Sequence, residues 1–211
     1  MVDLKLIAEN LIAGKSALVK ELVQQALAEG VSPGRVLNEG LIAGMNIVGT
    51  KFKANEFYVP EVLIAARAMK SGMEILKPLL SQAGVKPVAT FIIGTVKGDL
   101  HDIGKNLVGM MMEGAGFEVI DIGIDVAPEK YLEMIKQKQP QLVGLSALLT
   151  TTMPMMKTTI ETLKNAGLKD KIKVLVGGAP VTEQFAREIG ADGYAADAAS
   201  AVDRAKELLN N

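Results

Sequence analysis

His101 is the single histidine of the chain and stands in Gly98-Asp99-Leu100-His101-Asp102-Ile103-Gly104, between an apolar run and an apolar helical pattern. An imidazole flanked by carboxylates and glycines at a strand-to-helix turn sits where an α/β sheet presents chemistry to a ligand. The chemistry this residue type suggests is metal ligation. One ring nitrogen can bind a metal while the other N–H donates to a carboxylate that fixes the tautomer. Asp99, on the same turn, is the natural acceptor, and Thr152 is the hydroxyl best placed to hold that carboxylate in turn. On spacing alone, a capping or hydrogen-bonding histidine remains the competing reading.

The chain has no Cys and no second His, which excludes disulfides and thiolate metal sites and disfavours a closed structural zinc site. A metal must therefore arrive with most of its coordination filled, as it would in a macrocycle that needs one axial nitrogen from the protein. Nucleotide sites are disfavoured. Five residues separate Gly98 from Gly104 where a P-loop has four, and Asn106 replaces the Ser/Thr after the lysine. No Gly-x-Gly-x-x-Gly follows the first predicted strand.

The elements that must position His101 come in two kinds. Residues 1–84 read as four amphipathic helices, with stripes Leu4/Ile7/Ala8/Leu11, Leu18/Val19/Leu22/Val23/Ala26, Val36/Leu37/Leu41/Met45/Val48 and Val62/Leu63/Ala66/Met69/Met73/Leu76. Ser32-Pro33 and Pro60 open the last two. Ser81 to Pro87 reads as a linker. Residues 85–211 alternate strand and helix. Strands are predicted at Val88 to Gly94, Glu118 to Ile122, Leu142 to Leu148, Lys173 to Val176 and near Tyr194, with helices starting near Gly104, Pro128, Thr152, Val181 and Asp197. The fold class is α/β: a flavodoxin-like, five-stranded parallel sheet preceded by a helical bundle. In that strand order His101 and the segment Ser146 to Thr152 share one crevice, and Gly177-Gly178 ends the fourth strand on the same side.

With 23 basic and 24 acidic residues and no single-sign block, the chain lacks the footprint of a nucleic-acid binder. Its start carries acids through the apolar pattern, unlike a signal peptide, and no apolar run reaches spanning length. The expectation is a cytoplasmic protein whose partners are proteins or small molecules, with no nucleic acid and no membrane.

Asp99-x-His101-x-x-Gly104, then Ser146-x-Leu148, then Gly177-Gly178 resembles the signature of cobalamin-binding domains that hold the corrinoid with its lower base displaced by histidine. The run from Thr95 to Asn106 resembles methionine synthase and the corrinoid proteins of methylotrophic and O-demethylating methyltransferase systems. The helical part, with Gly44 to Gly49 and Pro60-Glu61-Val62, is similar to their cap domain. The resemblance implies that His101 is the lower cobalt ligand, Asp99 its partner and Thr152 the third group, where methionine synthase has serine. It implies that Gly98, Asp102, Ile103, Gly104, Ser146, Leu148, Thr150, Gly177, Gly178 and Ala198 contact the corrinoid or its displaced nucleotide tail, and that Phe52 and Val59 cover the upper face. Gly94 and Gly144 are further candidates for making room beside the sheet, although strand-end glycines are often only turn residues. Phe57 and Tyr58 are candidate core residues, and Met110 to Met112 and the methionines at 153, 155 and 156 read as packing.

The implied function is a methyl carrier bearing cobalamin or a related corrinoid, cycling between methylcobalamin and cob(I)alamin. It would serve a substrate:corrinoid methyltransferase, a methylcorrinoid:tetrahydrofolate or thiol methyltransferase and a reductive activation protein, as a carrier subunit rather than a complete enzyme. A cobalamin-sensing regulator and an adenosylcobalamin isomerase subunit are the alternatives. The first ordinarily adds a DNA-binding module and the second pairs with a barrel.

Overall fold

A computed structural model describes residues 3–210. The backbone divides into two units, one running to Pro87 and joined by Glu113–Gly116, the other made of Val88–Met112 and the chain from Phe117 onward.

The first unit is helical. Asp3 caps α1 (Leu4–Ile12) by accepting the Lys5 N–H at 2.9 Å, and Leu4, Ile7, Ala8 and Leu11 are buried. In α2 (Ser16–Ala28) the buried line is Val19, Val23 and Ala26; Leu18, expected in the stripe, is exposed at its edge. Ser32 accepts the Arg35 N–H at 3.4 Å and Pro33 opens α3 (Pro33–Arg35). The chain continues without a break into a π-helix, Val36–Ile42, and then α4 (Ala43–Lys53).

The sequence pattern predicts one ordinary helix there, and the π turn is the difference. Val36 and Leu41 are fully buried and five positions apart, a spacing that i→i+5 winding returns to one face. Gly40 and Gly44 bring this run close to α1, since a Cβ on either would come within 3.1 Å of Ile7 or of the Ala8 backbone.

In α5 (Val59–Gln82) the Tyr58 N–H donates to Glu61 at 2.9 Å, and Ala65, Ala68 and Gly72 are buried while Leu63 is exposed. These small residues let α5 lie against α2, with Leu41 and Val19 over Gly72. The helix takes in Ser81 and Gln82, which the sequence pattern assigned to the linker. It stops where Gly84 adopts φ 69°, with Gly84 N–H donating to Ser81 O and Val85 N–H to Leu80 O. That pair of bonds is a Schellman stop, which favours glycine at the left-handed position. Tyr58 is 62% exposed and so is not a core residue.

The second unit alternates β1 (Thr90–Thr95), α6 (Ile103–Gly114), β2 (Glu118–Asp121), α7 (Pro128–Lys138), β3 (Leu142–Ser146), α8 (Met153–Asn165), β4 (Lys173–Gly177), α9 (Glu183–Glu188), β5 (Gly193–Ala195) and α10 (Ala198–Asn210). All strands are parallel in the order β2-β1-β3-β4-β5, the flavodoxin-like order. The inner strands β1, β3 and β4 are mostly buried and apolar, as helices covering both faces of a parallel sheet require, whereas the edge strand β2 carries exposed Glu118 and Asp121. Ile92, Val143, Leu145, Val174 and Val176 pack on one side with Tyr131, Ile135, Met156, Ile160 and Ala186. Met111, Met112 and Met156 are buried, so part of each methionine cluster is packing. Among the described residues no helix is long and apolar enough to cross a membrane.

Candidate functional site

β1 and β3 are neighbours whose connections leave toward opposite faces, so a crevice opens at their carboxyl ends. The register puts Thr95, Ser146, Gly177 and Ala195 in one row across four strands. This row of small residues forms the sheet's end on the crevice side. Beyond it, Val96 N–H donates to Ser146 O and Asp99 N–H to Val96 O, folding the chain into the turn that carries Asp99 and His101.

Asp99 is fully buried. One carboxylate oxygen lies 2.7 Å from His101 Nδ1 and accepts the His101 backbone N–H at 3.1 Å. The other accepts the Leu148 N–H at 2.8 Å, the Leu149 N–H at 3.3 Å and the Thr152 hydroxyl at 2.7 Å. Burial alone would raise the carboxyl's pKa; bonds from Thr152, Leu148 and His101 outweigh burial and hold it well below its ordinary value. Asp99 is therefore an ionised acceptor, and the imidazole donates to it through Nδ1–H. That leaves Nε2 as the nitrogen with a lone pair, on a side chain 49% exposed. The extra methyl of Thr152 does not disturb the contact: its hydroxyl still reaches Asp99, and its Cγ2 would stand 3.6 Å from a Cβ placed on Gly98.

The remaining candidates fall into groups. Asp102 accepts the Asn106 N–H at 2.7 Å through its carbonyl and the Asn106 side-chain amide at 3.1 Å through its carboxylate, so it anchors the first turn of α6. Ile103 is 75% exposed and Leu100 68%, and Ile124, Leu148 and Leu149 are exposed as well. All five follow the carboxyl ends of β1, β2 and β3, the end of the sheet that also carries His101. Gly104 has no atom within 4 Å of a would-be Cβ, so packing does not explain glycine there. Gly178 is the opposite case. Its φ is 131° and a Cβ would lie 1.9 Å from Ala147 O, so the backbone requires glycine whatever else approaches.

Ser146 is half-buried, Thr150 is exposed in the turn before α8, and Ala198 is buried at the start of α10. Gly94 and Gly144 do not leave open room. A Cβ on Gly94 would lie 2.6 Å from the Tyr131 hydroxyl, and one on Gly144 would lie 2.6 Å from the Phe91 ring. Phe52 on α4 and Val59 at the start of α5 are half-buried within the first unit, and their covering role is carried by resemblance alone.

Three features escaped the sequence reading. Thr95, fully buried, donates its hydroxyl to His101 O at 2.8 Å. Lys105, also buried, binds Asp121 and Asn106, tying the start of α6 to the end of β2. Asp125 accepts the Gly98 N–H. Their available signal was position, at or just beyond the ends of the two strands that flank the His101 turn.

No group of three or more His, Cys, Asp or Glu side chains able to hold a metal exists among the described residues. One imidazole nitrogen is what the protein offers.

Comparison with known proteins agrees with this arrangement. Residues 89–203 match one B12 binding domain family and residues 4–77 a second of the same description. The chain is 45% identical over 204 residues to the dimethylamine corrinoid protein of Methanosarcina barkeri, covering 96% of this chain and 95% of that one. A cobalamin-binding protein from Desulfitobacterium hafniense DCB-2 is similar over 99% of both chains, with TM-score 0.82 and 32% identity. The methanol:cobalamin methyltransferase complex MtaBC from Methanosarcina barkeri contains a chain similar over 97% of this one and 78% of its own length, with TM-score 0.87 and 31% identity. With both of its parts matched and relatives aligned over nearly its full length, the chain belongs to the B12-binding family of corrinoid proteins.

Proposed function

We propose that this protein is a corrinoid carrier that takes a methyl group from one partner methyltransferase and hands it to another. The observation that carries the reading is the buried, five-donor Asp99 carboxylate gripping Nδ1 of an imidazole whose Nε2 has no partner among the described residues. The residues fit cobalamin or a related corrinoid: a single available nitrogen suits a metal already ringed by a macrocycle, and the exposed Leu100, Ile103, Ile124, Leu148 and Leu149 suit its flat apolar underside. Gly104, with no packing reason to be glycine, leaves room beside His101. When bound, the corrinoid supplies a cobalt centre that accepts and releases a methyl group.

His101 Nε2 would be the nitrogen that holds the corrinoid's cobalt, in place of the cofactor's own base. Asp99 holds the tautomer, and Thr152 orients Asp99. The half-exposed ring can approach or withdraw without repacking the core. Ser146, Thr150, Gly177, Gly178 and Ala198 line the path of the displaced nucleotide tail, with Gly98 and Asp102 shaping the turn beside it. Residues 85–211 would hold the corrinoid, and the resemblance assigns to Phe52 and Val59, in residues 1–84, the role of shielding the transferable methyl from water.

The curated relatives are named for dimethylamine and trimethylamine, which supports a donor whose methyl group is carried on nitrogen. The second partner passes the group to tetrahydrofolate or a thiol. The chain has no Cys of its own to supply electrons, so a separate reductive activation protein restores the reactive oxidation state.

The test is electron paramagnetic resonance of the cobalamin-reconstituted protein in its cobalt(II) state. A nitrogen splitting that changes on nitrogen-isotope labelling of histidine in the parent, with no such response in His101→Ala, is expected; a splitting indifferent to the label would remove the axial assignment. Methyl transfer from N-methylated amines, and not from methanol or aryl methyl ethers alone, is the expected donor preference.

A further inference from the structure

Asp125 lies between β2 and α7, outside every motif used above. Its backbone is left-handed, φ 53°, which non-glycine residues rarely adopt. Three bonds to one neighbouring segment accompany that conformation. One carboxylate oxygen accepts the Gly98 N–H at 2.8 Å, the other accepts the Lys97 ammonium at 3.1 Å, and the Asp125 N–H donates to Asp99 O at 3.0 Å.

These bonds fall on the peptide groups that set where Asp99 points. The Gly98 N–H belongs to the peptide before Gly98, and the Asp99 carbonyl to the peptide after Asp99; Asp125 holds both. The peptide between them is held by Asp99 N–H on Val96 O at 3.1 Å. With the peptides on either side of its Cα restrained, the direction of the Asp99 side chain is set, and Asp99 in turn sets the His101 ring. The Asp125 side chain is 40% exposed, so removing it leaves the packed core intact.

We propose that Asp125 is a positioning residue for the metal-ligating imidazole: by bracketing Gly98-Asp99 it sets the fraction of protein in which His101 is bonded to the corrinoid, acting through Asp99. The inference rests on the corrinoid reading with His101 as axial ligand.

The test uses the full chain with Asp125→Gly, which tolerates the positive φ and removes only the acceptor, and Asp125→Asn, which keeps an oxygen for Gly98. Two quantities are read. One is amide hydrogen exchange at Gly98 without cofactor; the other is the equilibrium between His101-ligated and unligated cobalamin, from the nitrogen splitting in the cobalt(II) spectrum. Losing a hydrogen bond to a charged acceptor is expected to speed Gly98 exchange and to lower the ligation equilibrium constant by about tenfold each in Asp125→Gly. The Asn variant should restore both to within about threefold, since its amide oxygen still accepts.

An unchanged ligation equilibrium in Asp125→Gly overturns the proposal, as does an Asn variant as impaired as the Gly variant. If Asp125→Gly fails to fold, the Asn variant decides: lost ligation despite a protected Gly98 overturns the proposal, and parental values in both support it. If the parent itself shows no nitrogen splitting, the axial-ligand reading fails instead, and this inference fails with it for a separately identified reason.

Discussion

Asp99 collects five donors on one buried carboxylate, three of them backbone N–H groups. Replacing it with Asn would turn an amide N–H₂ toward donors already in place, leaving buried groups unpaired. Asp99→Asn should cost about 2–4 kcal/mol of unfolding free energy at neutral pH, measurable by urea denaturation. Because the folded carboxyl titrates below its ordinary value of 3.8, its stabilisation is complete above about pH 4 and is lost as pH falls further. The gap between parent and Asn variant should therefore narrow on acidification below pH 4 and stay constant above it. The Asp99–His101–Thr152 chain of hydrogen bonds could be read from sequence, because few side chains can bind an imidazole N–H or a carboxylate. The amides of Leu148 and Leu149 could not, since every non-proline residue carries that donor and only the fold selects which ones converge. Thr95 and Asp125 escaped for the same reason, as both bind backbone groups.

At the scale of elements, glycines separate what the fold requires from what a ligand would require. Gly178→Ala places a methyl 1.9 Å from the Ala147 carbonyl and should lose about 3 kcal/mol or more of stability. Gly104→Ala meets nothing within 4 Å and should leave the unfolding free energy unchanged or raise it by up to about 1 kcal/mol from helix propensity. Cobalamin affinity should fall even so, and unchanged affinity would show that the corrinoid does not approach that position. Gly44→Ala tests the packing of α1 on α4. Its neighbour at 3.1 Å is Ala8 backbone, which cannot rotate away, so a loss of about 1–3 kcal/mol in thermal unfolding is expected despite the better helix former. The alternation of strand and helix was legible because the apolar period changes from near four to two and continuous runs. The π turn was not legible: the five-residue step from Val36 to Leu41 was in view, but Leu37 and Leu41 also satisfy an α-helical stripe. The buried alanines of α5 were passed over for a similar reason, since Ala is apolar enough to be inside and small enough to be ignored.

For the whole molecule, handedness narrowed the strand order without fixing it. Right-handed crossovers around a five-stranded parallel sheet leave few arrangements, and one of them puts a neighbouring β1 and β3 beneath His101. A ligand that binds only the folded state adds stability in proportion to the logarithm of its concentration. At a hundredfold excess over its dissociation constant, cobalamin should add about 2.7 kcal/mol. Calorimetry with and without cobalamin should show that increment in the parent and a smaller one in His101→Ala. The bonds that complete the Asp99 environment reach 49, 50 and 53 residues along the chain, to Leu148, Leu149 and Thr152. A growing polypeptide that has made His101 but not yet residues 148 to 152 thus carries the recognisable motif with only two of the five donors on its Asp99 carboxylate. The surroundings that fix Asp99 are complete only once that distant stretch has been made and has docked.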